Sequence, residues 1–181
     1  MPRRLIRATS GAAAVEFAVI SAPLVLVLTA ILEFSLIAFV DAALESAALE
    51  ASRYGTTGAS RAGTTRRDEV MRILKDNTFG FVDNGNTKVE ILVYPGFDDI
   101  GKPEPYTDAN GNGQFDAGEP FGDVNGNGQW DDDMGAAGLG GPDDVVVYHV
   151  MHDWGVLVPL LKPMLDGLTL EASVAVRNEP F

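Results

Sequence analysis

The stretch from Phe17 to Leu32 carries no charge, and largely apolar sequence extends it back to Ala12 and on to Val40. As one helix, residues 12–40 are long enough to cross a hydrocarbon core of about 30 Å. Arg3, Arg4 and Arg7 precede the stretch and no basic residue follows closely, which orients the N-terminus toward the cytoplasm. A cleaved secretory signal is the competing reading, but the apolar stretch is too long for a signal core and ends without an Ala-x-Ala site. Instead, helix-forming sequence continues from Asp41 to Tyr54, with Leu44, Ala47, Ala48 and Ala51 at helical spacing and Gly55 as the expected C-cap. A single helix from Ala13 to Tyr54 would be roughly 60 Å long, about twice what a bilayer needs. The remainder offers an amphipathic face to a domain or a neighbouring subunit. Pro23 is read as a mild kink.

With the membrane segment set aside, 181 residues leave one modest domain. The net charge of -13 argues against a nucleic-acid partner, which would need clustered Lys and Arg. Roughly half of the acidic residues fall between Asp98 and Asp144, with Lys102 as the one base among them. The absence of cysteine excludes disulfide frameworks, thiolate chemistry and Cys-ligated zinc.

Glu16 is the odd residue of the apolar segment. A carboxylate in hydrocarbon is costly and usually functional, although near the cytoplasmic end it can also snorkel to the interface. Gly11 precedes it by four small or apolar residues, and the sequence Gly-Ala-Ala-Ala-Val-Glu-Phe-Ala resembles the processing signal of type IV pilins. More closely, it is similar to the TadE-like pseudopilins of Flp (tight adherence) pilus systems. The resemblance implies that a prepilin peptidase cuts between Gly11 and Ala12, making Glu16 the fifth residue of the mature chain. There Glu16 would neutralise the new N-terminal ammonium of a neighbouring subunit within the lipid. Phe17 stands where major Flp pilins usually carry Tyr, which points to a minor subunit. The resemblance extends to Arg53-Tyr54-Gly55-Thr56-Thr57-Gly58, to Tyr94-Pro95 and to the terminal Val176–Phe181. Its implied partners are the membrane, other pilins, pilus assembly proteins and the peptidase. Its implied location is the bacterial inner membrane, with the C-terminal domain periplasmic or carried into a surface pilus.

Residues 1–11 thus read as a leader, 12–40 as the span, 41–63 as helix extension and linker, and 64–181 as an outer domain. That domain is expected to be α+β, with helices against a small antiparallel sheet. A helix should start at Thr64 or Thr65 with Asp68 in a capping box and Val70, Ile73 and Leu74 inward. Asn84-Gly85-Asn86 signals a turn. Strands are expected over Lys88–Tyr94, Asp144–Met151 and Thr169–Arg177. Val156–Leu165, interrupted by Pro159 and Pro163, is too short to span a membrane and reads as a packing helix, a hydrophobic lid or a membrane-surface contact.

Inside the acidic stretch, residues 108–119 fit an EF-hand calcium loop at every position. Asp108, Asn110 and Asn112 supply side-chain oxygens, Gly113 the sharp turn and Gln114 a backbone carbonyl. Asp116 stands at the ninth place and Glu119 at the twelfth. A near-repeat begins at Asp123 and continues through Asn125, Asn127, Gly128, Gln129 and Asp131, but its twelfth place is Met134, which cannot ligate a hard cation. Either Asp132 or Asp133 substitutes from an altered geometry, or the two loops share ligands. The bland alternative is a solvated acidic loop without an ion. Calcium is the expected cofactor, and its expected role is to order a loop that would otherwise repel itself. The loop chemistry resembles that of dockerins, although flanking helices are not expected. His149 and His152 fall on opposite strand faces, which suits neither a metal pair nor a catalytic dyad, so no enzymatic activity is expected.

Overall fold

The computed structural model describes residues 9–56, 65–78, 80, 82 and 85–179. Helix α1 runs from Thr9 to Thr56 with Pro23 inside it, and α2 covers Arg66–Asn77. Strands β1 (Thr87–Tyr94), β2 (Ala136–Ala137), β3 (Val145–Asp153) and β4 (Thr169–Arg177) follow. A 3-10 turn at Pro159–Leu161 and the single helical turn α3 (Lys162–Leu165) lie between β3 and β4. The arginine-rich leader, most of the expected 55–63 linker, Asn84 and the last two residues lie outside the described residues. Gly55 does not stop α1, which continues to Thr56.

The chain forms two compact units. One consists of α1 through Phe39 together with Trp154–Leu168; the other holds Val40–Asp153 and the segment from Thr169.

In the first unit the apolar surface of α1 is exposed on every side, at Val15, Phe17, Ile20, Leu24, Leu28, Ile31 and Leu32 among others. The hydroxyls of Ser21, Thr29 and Ser35 donate back to the helix carbonyls of Ala18, Leu26 and Ile31 at 3.2, 3.0 and 2.7 Å. These side chains therefore place no unmet donor among the apolar ones.

In the second unit the strands form one antiparallel sheet in the order β2-β1-β3-β4. Tyr148 on the central β3 pairs with Ile91 on one side and Val174 on the other. The Val-Val-Val run suits a strand covered on both faces, and Val145, Val146, Val147, Tyr148 and Val150 are all buried. Tyr94, Met134, Val145 and Val147 cluster on one face, with Leu92 against them. The α1 residues Val40, Leu44, Ala47, Ala48 and Ala51, at helical spacing, are also buried. In α2, Val70, Ile73 and Leu74 turn inward, and the helix packs against β1. The expected capping box is present: Thr65 Oγ1 accepts the Asp68 N–H at 3.2 Å, and Asp68 Oδ2 accepts the Thr65 N–H at 3.1 Å. The long β1-to-β3 connection carries the acidic loops.

Candidate functional site

The residues expected to form the processing signal, Gly11, Ala12, Glu16 and Phe17, stand on exposed positions near the start of α1, and Phe17 is 73% exposed. A second acidic residue of the same helix, Glu33, is engaged in the structure although nothing in the sequence indicates a partner for it. Glu33 is 1% exposed. Its Oε1 accepts the indole N–H of Trp154 at 2.8 Å and the backbone N–H of Leu157 at 3.0 Å, and its Oε2 accepts the Val158 N–H at 3.0 Å. Three donors thus meet one carboxylate that would otherwise be buried without partners, a costly state. The Trp154 N–H donates to the Leu168 carbonyl at 2.8 Å, closing the base of the 154–168 excursion. A carboxylate within an apolar run was the visible signal; its partner, far along the chain, had none.

The acidic insertion folds as two matched loops. Asp108 Oδ1 accepts the N–H groups of Gly111 and Asn112 at 2.6 and 3.2 Å, and its Oδ2 accepts that of Gly113 at 2.8 Å. Asp123 repeats this with Gly126, Asn127 and Gly128 at 2.7, 3.1 and 2.9 Å. Gly113 and Gly128, both at φ 78°, supply the left-handed turn at the sixth place. Asn112 Oδ1 accepts the Gln114 N–H, and Asn127 Oδ1 accepts the Gln129 N–H, at 2.8 and 2.7 Å. At the ninth place, Asp116 Oδ2 accepts from the Asn110 and Asn112 amides at 2.6 and 2.7 Å. Asp131 Oδ2 accepts from those of Asn125 and Asn127 at 2.8 and 2.6 Å. These bonds, Asn125's first, hold the Asp131 carboxyl below its ordinary pKa. The Gly113 N–H does the same most strongly for Asp108.

The twelfth place separates the loops from what sequence reasoning expected. In the first loop Glu119 fills it, accepting the N–H groups of Ala109 at 2.8 Å and Asp116 at 3.0 Å. In the second loop neither Asp132 nor Asp133 does so. Asp133 instead accepts from the Tyr94 hydroxyl at 3.0 Å and from the Gly135 N–H at 3.0 Å. Burial first, and then this carboxylate, push the Tyr94 hydroxyl up to about 12. The vacant role falls to Glu104, which is fully buried and precedes both loops. Its Oε1 accepts the N–H groups of Val124 at 2.7 Å and Asn125 at 3.2 Å, and its Oε2 accepts that of Asp131 at 3.3 Å. A signal for this was present: Glu-Pro followed by an aromatic residue recurs at Glu104-Pro105-Tyr106 and Glu119-Pro120-Phe121.

Reciprocal contacts lock the loops together. The Thr107 N–H donates to the Pro120 carbonyl at 2.8 Å, and the Gly122 N–H to that of Pro105 at 2.7 Å, around an antiparallel Tyr106–Phe121 bridge. The eighth-place rings, Phe115 and Trp130, stack at 4.6 Å, and Tyr106 meets both edge-on at 5.8 Å.

Among the described residues no group of His, Cys, Asp and Glu side chains converges as a metal centre. In each loop the amide nitrogens of two asparagines point at the ninth-place carboxylate. An ion entering there needs those amides turned so that their oxygens face it. The donor set does fit a hard cation: carboxylate, amide and backbone oxygens, without thiolate or imidazole. The histidines stay apart. His152 is buried with Nδ1 2.9 Å from Thr87 Oγ1, and His149 Nε2 lies 3.6 Å from Glu171.

Residues 11–53 match the family model of TadE-like proteins. The N-terminal helix is TadE-like. The match covers Gly11, Ala12, Glu16, Phe17 and Glu33 and ends before the sheet and the loops begin. No curated protein and no solved structure matches the chain. The TadE-like stretch coincides with the helix that is long and apolar enough to cross a membrane.

Proposed function

We propose that this chain is a minor, pilin-like subunit of a Tad-type pilus system, anchored by α1 in the bacterial inner membrane with its second unit in the periplasm. The observation that carries the reading is the TadE-like match over residues 11–53, on a helix whose apolar side chains between Val15 and Leu32 are exposed all round. Such a surface needs lipid or other helices to cover it. Its partners are the membrane, other pilins and pilus assembly proteins. A prepilin peptidase cuts after Gly11, and Glu16 then meets the ammonium group of a neighbouring subunit. The tandem loops bind calcium through Asp108, Asn110, Asn112, Gln114, Asp116 and Glu119 and through their counterparts from Asp123 to Asp131, which stiffens the outer unit. The role is structural rather than catalytic.

N-terminal sequencing of the protein from its native membrane tests the processing step. A chain that begins at Ala12 supports it. An intact Met1 favours an unprocessed single-span protein with a calcium-dependent binding domain.

A further inference from the structure

The excursion between β3 and β4 is tethered to α1 through Glu33, yet three of its large apolar side chains do not turn inward. Leu157 is 53% exposed, Leu160 64% and Met164 77%, while Leu161 alone among its leucines is buried. Exposed apolar groups of this size in a short, proline-broken segment need a cover.

Three observations identify that cover. Glu33 lies 22 residues beyond Gly11 on a continuous helix, about 33 Å at 1.5 Å per residue, close to the thickness of the hydrocarbon core. A helix that crosses the bilayer from Gly11 therefore brings Glu33 to the far boundary, and the bonded Trp154, Leu157 and Val158 with it. The segment also presents the composition of an interface: exposed leucines and methionine, and an exposed lysine, Lys162, whose ammonium suits anionic headgroups. Finally, the apolar surface of α1 stays exposed on both sides of Glu33, at Ile31, Leu32 and Phe34, so a surface already suited to lipid continues up to the tether.

We infer that Trp154–Leu168 is a second membrane contact, an interfacial hairpin that lays Leu157, Leu160 and Met164 into the headgroup–acyl boundary of the periplasmic leaflet. Glu33 is its positioning residue. The inference rests on the proposed membrane anchoring of α1. Burying the Glu33 carboxylate under three donors lets an acidic group sit at the lipid boundary, and it fixes the hairpin at the depth where its apolar side chains meet acyl chains.

The chain has no cysteine, so single nitroxide labels report depth without a background. The full-length protein carrying Leu160→Cys, Met164→Cys, Val19→Cys or Ala117→Cys is reconstituted in vesicles of phosphatidylethanolamine and phosphatidylglycerol. Relaxation by oxygen, which enriches in lipid, is compared with relaxation by a water-soluble nickel chelate. Labels at 160 and 164 are expected to favour oxygen, as at 19, while the label at 117 favours nickel. Adding Glu33→Ala should remove the oxygen preference at 164 and leave that at 19 intact. A nickel preference at 160 and 164 with lipid contact kept at 19 overturns the hairpin and spares the anchor. Shielding from both reagents means that a neighbouring subunit covers the segment, and also overturns it. A nickel preference at 19 brings down the anchor itself.

Discussion

Glu104 and Glu119 occupy equivalent places on exchanged loops. Each precedes a proline-aromatic pair, yet Glu119 closes the loop before it while Glu104 closes the loop that starts at Asp123. The second loop, whose twelfth residue is Met134, thereby regains a carboxylate from outside its own sequence. Glu104 ties the two loops into one unit, since the second loop cannot be completed by its own residues alone.

The exchange makes a prediction about calcium. In the Trp154→Phe chain, Trp130 is the sole tryptophan and stacks on Phe115, so its fluorescence reports on both loops. The parent chain should titrate with two calcium ions. Glu119→Gln should weaken the first site and Glu104→Gln the second, each by at least about tenfold, since either change removes one carboxylate charge from a site tuned by ligand charge. Equal behaviour of Glu104→Gln and parent in isothermal titration would place the second-site ligand elsewhere.

Glu104 also acts without an ion. It is fully buried and accepts three backbone N–H groups, whereas Glu119 accepts two from a half-buried position. Removing a buried acceptor strands its donors at about 1–3 kcal/mol. Glu104→Ala should therefore lower urea stability in calcium-free buffer by that order, and Glu119→Ala by less. The reverse ranking would mean that the buried carboxylate repels the acidic loops more than it holds them.

Glu33→Leu should free the hairpin. The Leu157 and Val158 amides and the Trp154 indole lose their common acceptor. Bonds to a charged acceptor contribute about 1.5–3 kcal/mol, so amide exchange at these two residues should accelerate roughly tenfold or more. Exchange at Tyr148, within the sheet, should not change. Unchanged protection at Leu157 and Val158 would show that other contacts hold the segment.

Tyr94 gives a prediction at alkaline pH. Burial and the Asp133 carboxylate raise its hydroxyl from 10.0 to about 12. Below pH 10 the hydroxyl is protonated in both folded and unfolded chains, and its contribution is fully present. Between about 10 and 12 the unfolded chain releases this proton first, so stability falls as pH rises through that window. Absorbance at 295 nm should show one of the four tyrosines titrating last, and Tyr94→Phe should remove that phase. It should also flatten the loss of urea stability over the same window. A late phase that survives the substitution would assign it to another tyrosine.

Local signals carried much of the architecture. Thr65 and Asp68 formed the capping box their spacing implied, and Thr169–Arg177 is the strand its alternation implied. Both depend on contacts a few residues apart. Gly55 did not cap α1, whose helical backbone runs through it to Thr56.

The amino-acid sequence by itself determined the apolar helix with its TadE-like signal, the α+β class and the two loops with their left-handed glycines, because periodicity, capping and turn chemistry act over short distances. Only the tertiary structure decided that Glu104 closes the second loop, that Asp133 serves Tyr94, and that Glu33 holds Trp154, Leu157 and Val158. A buried carboxylate takes whichever donors the fold brings to it, and which donors those are is set by packing between segments remote in the chain.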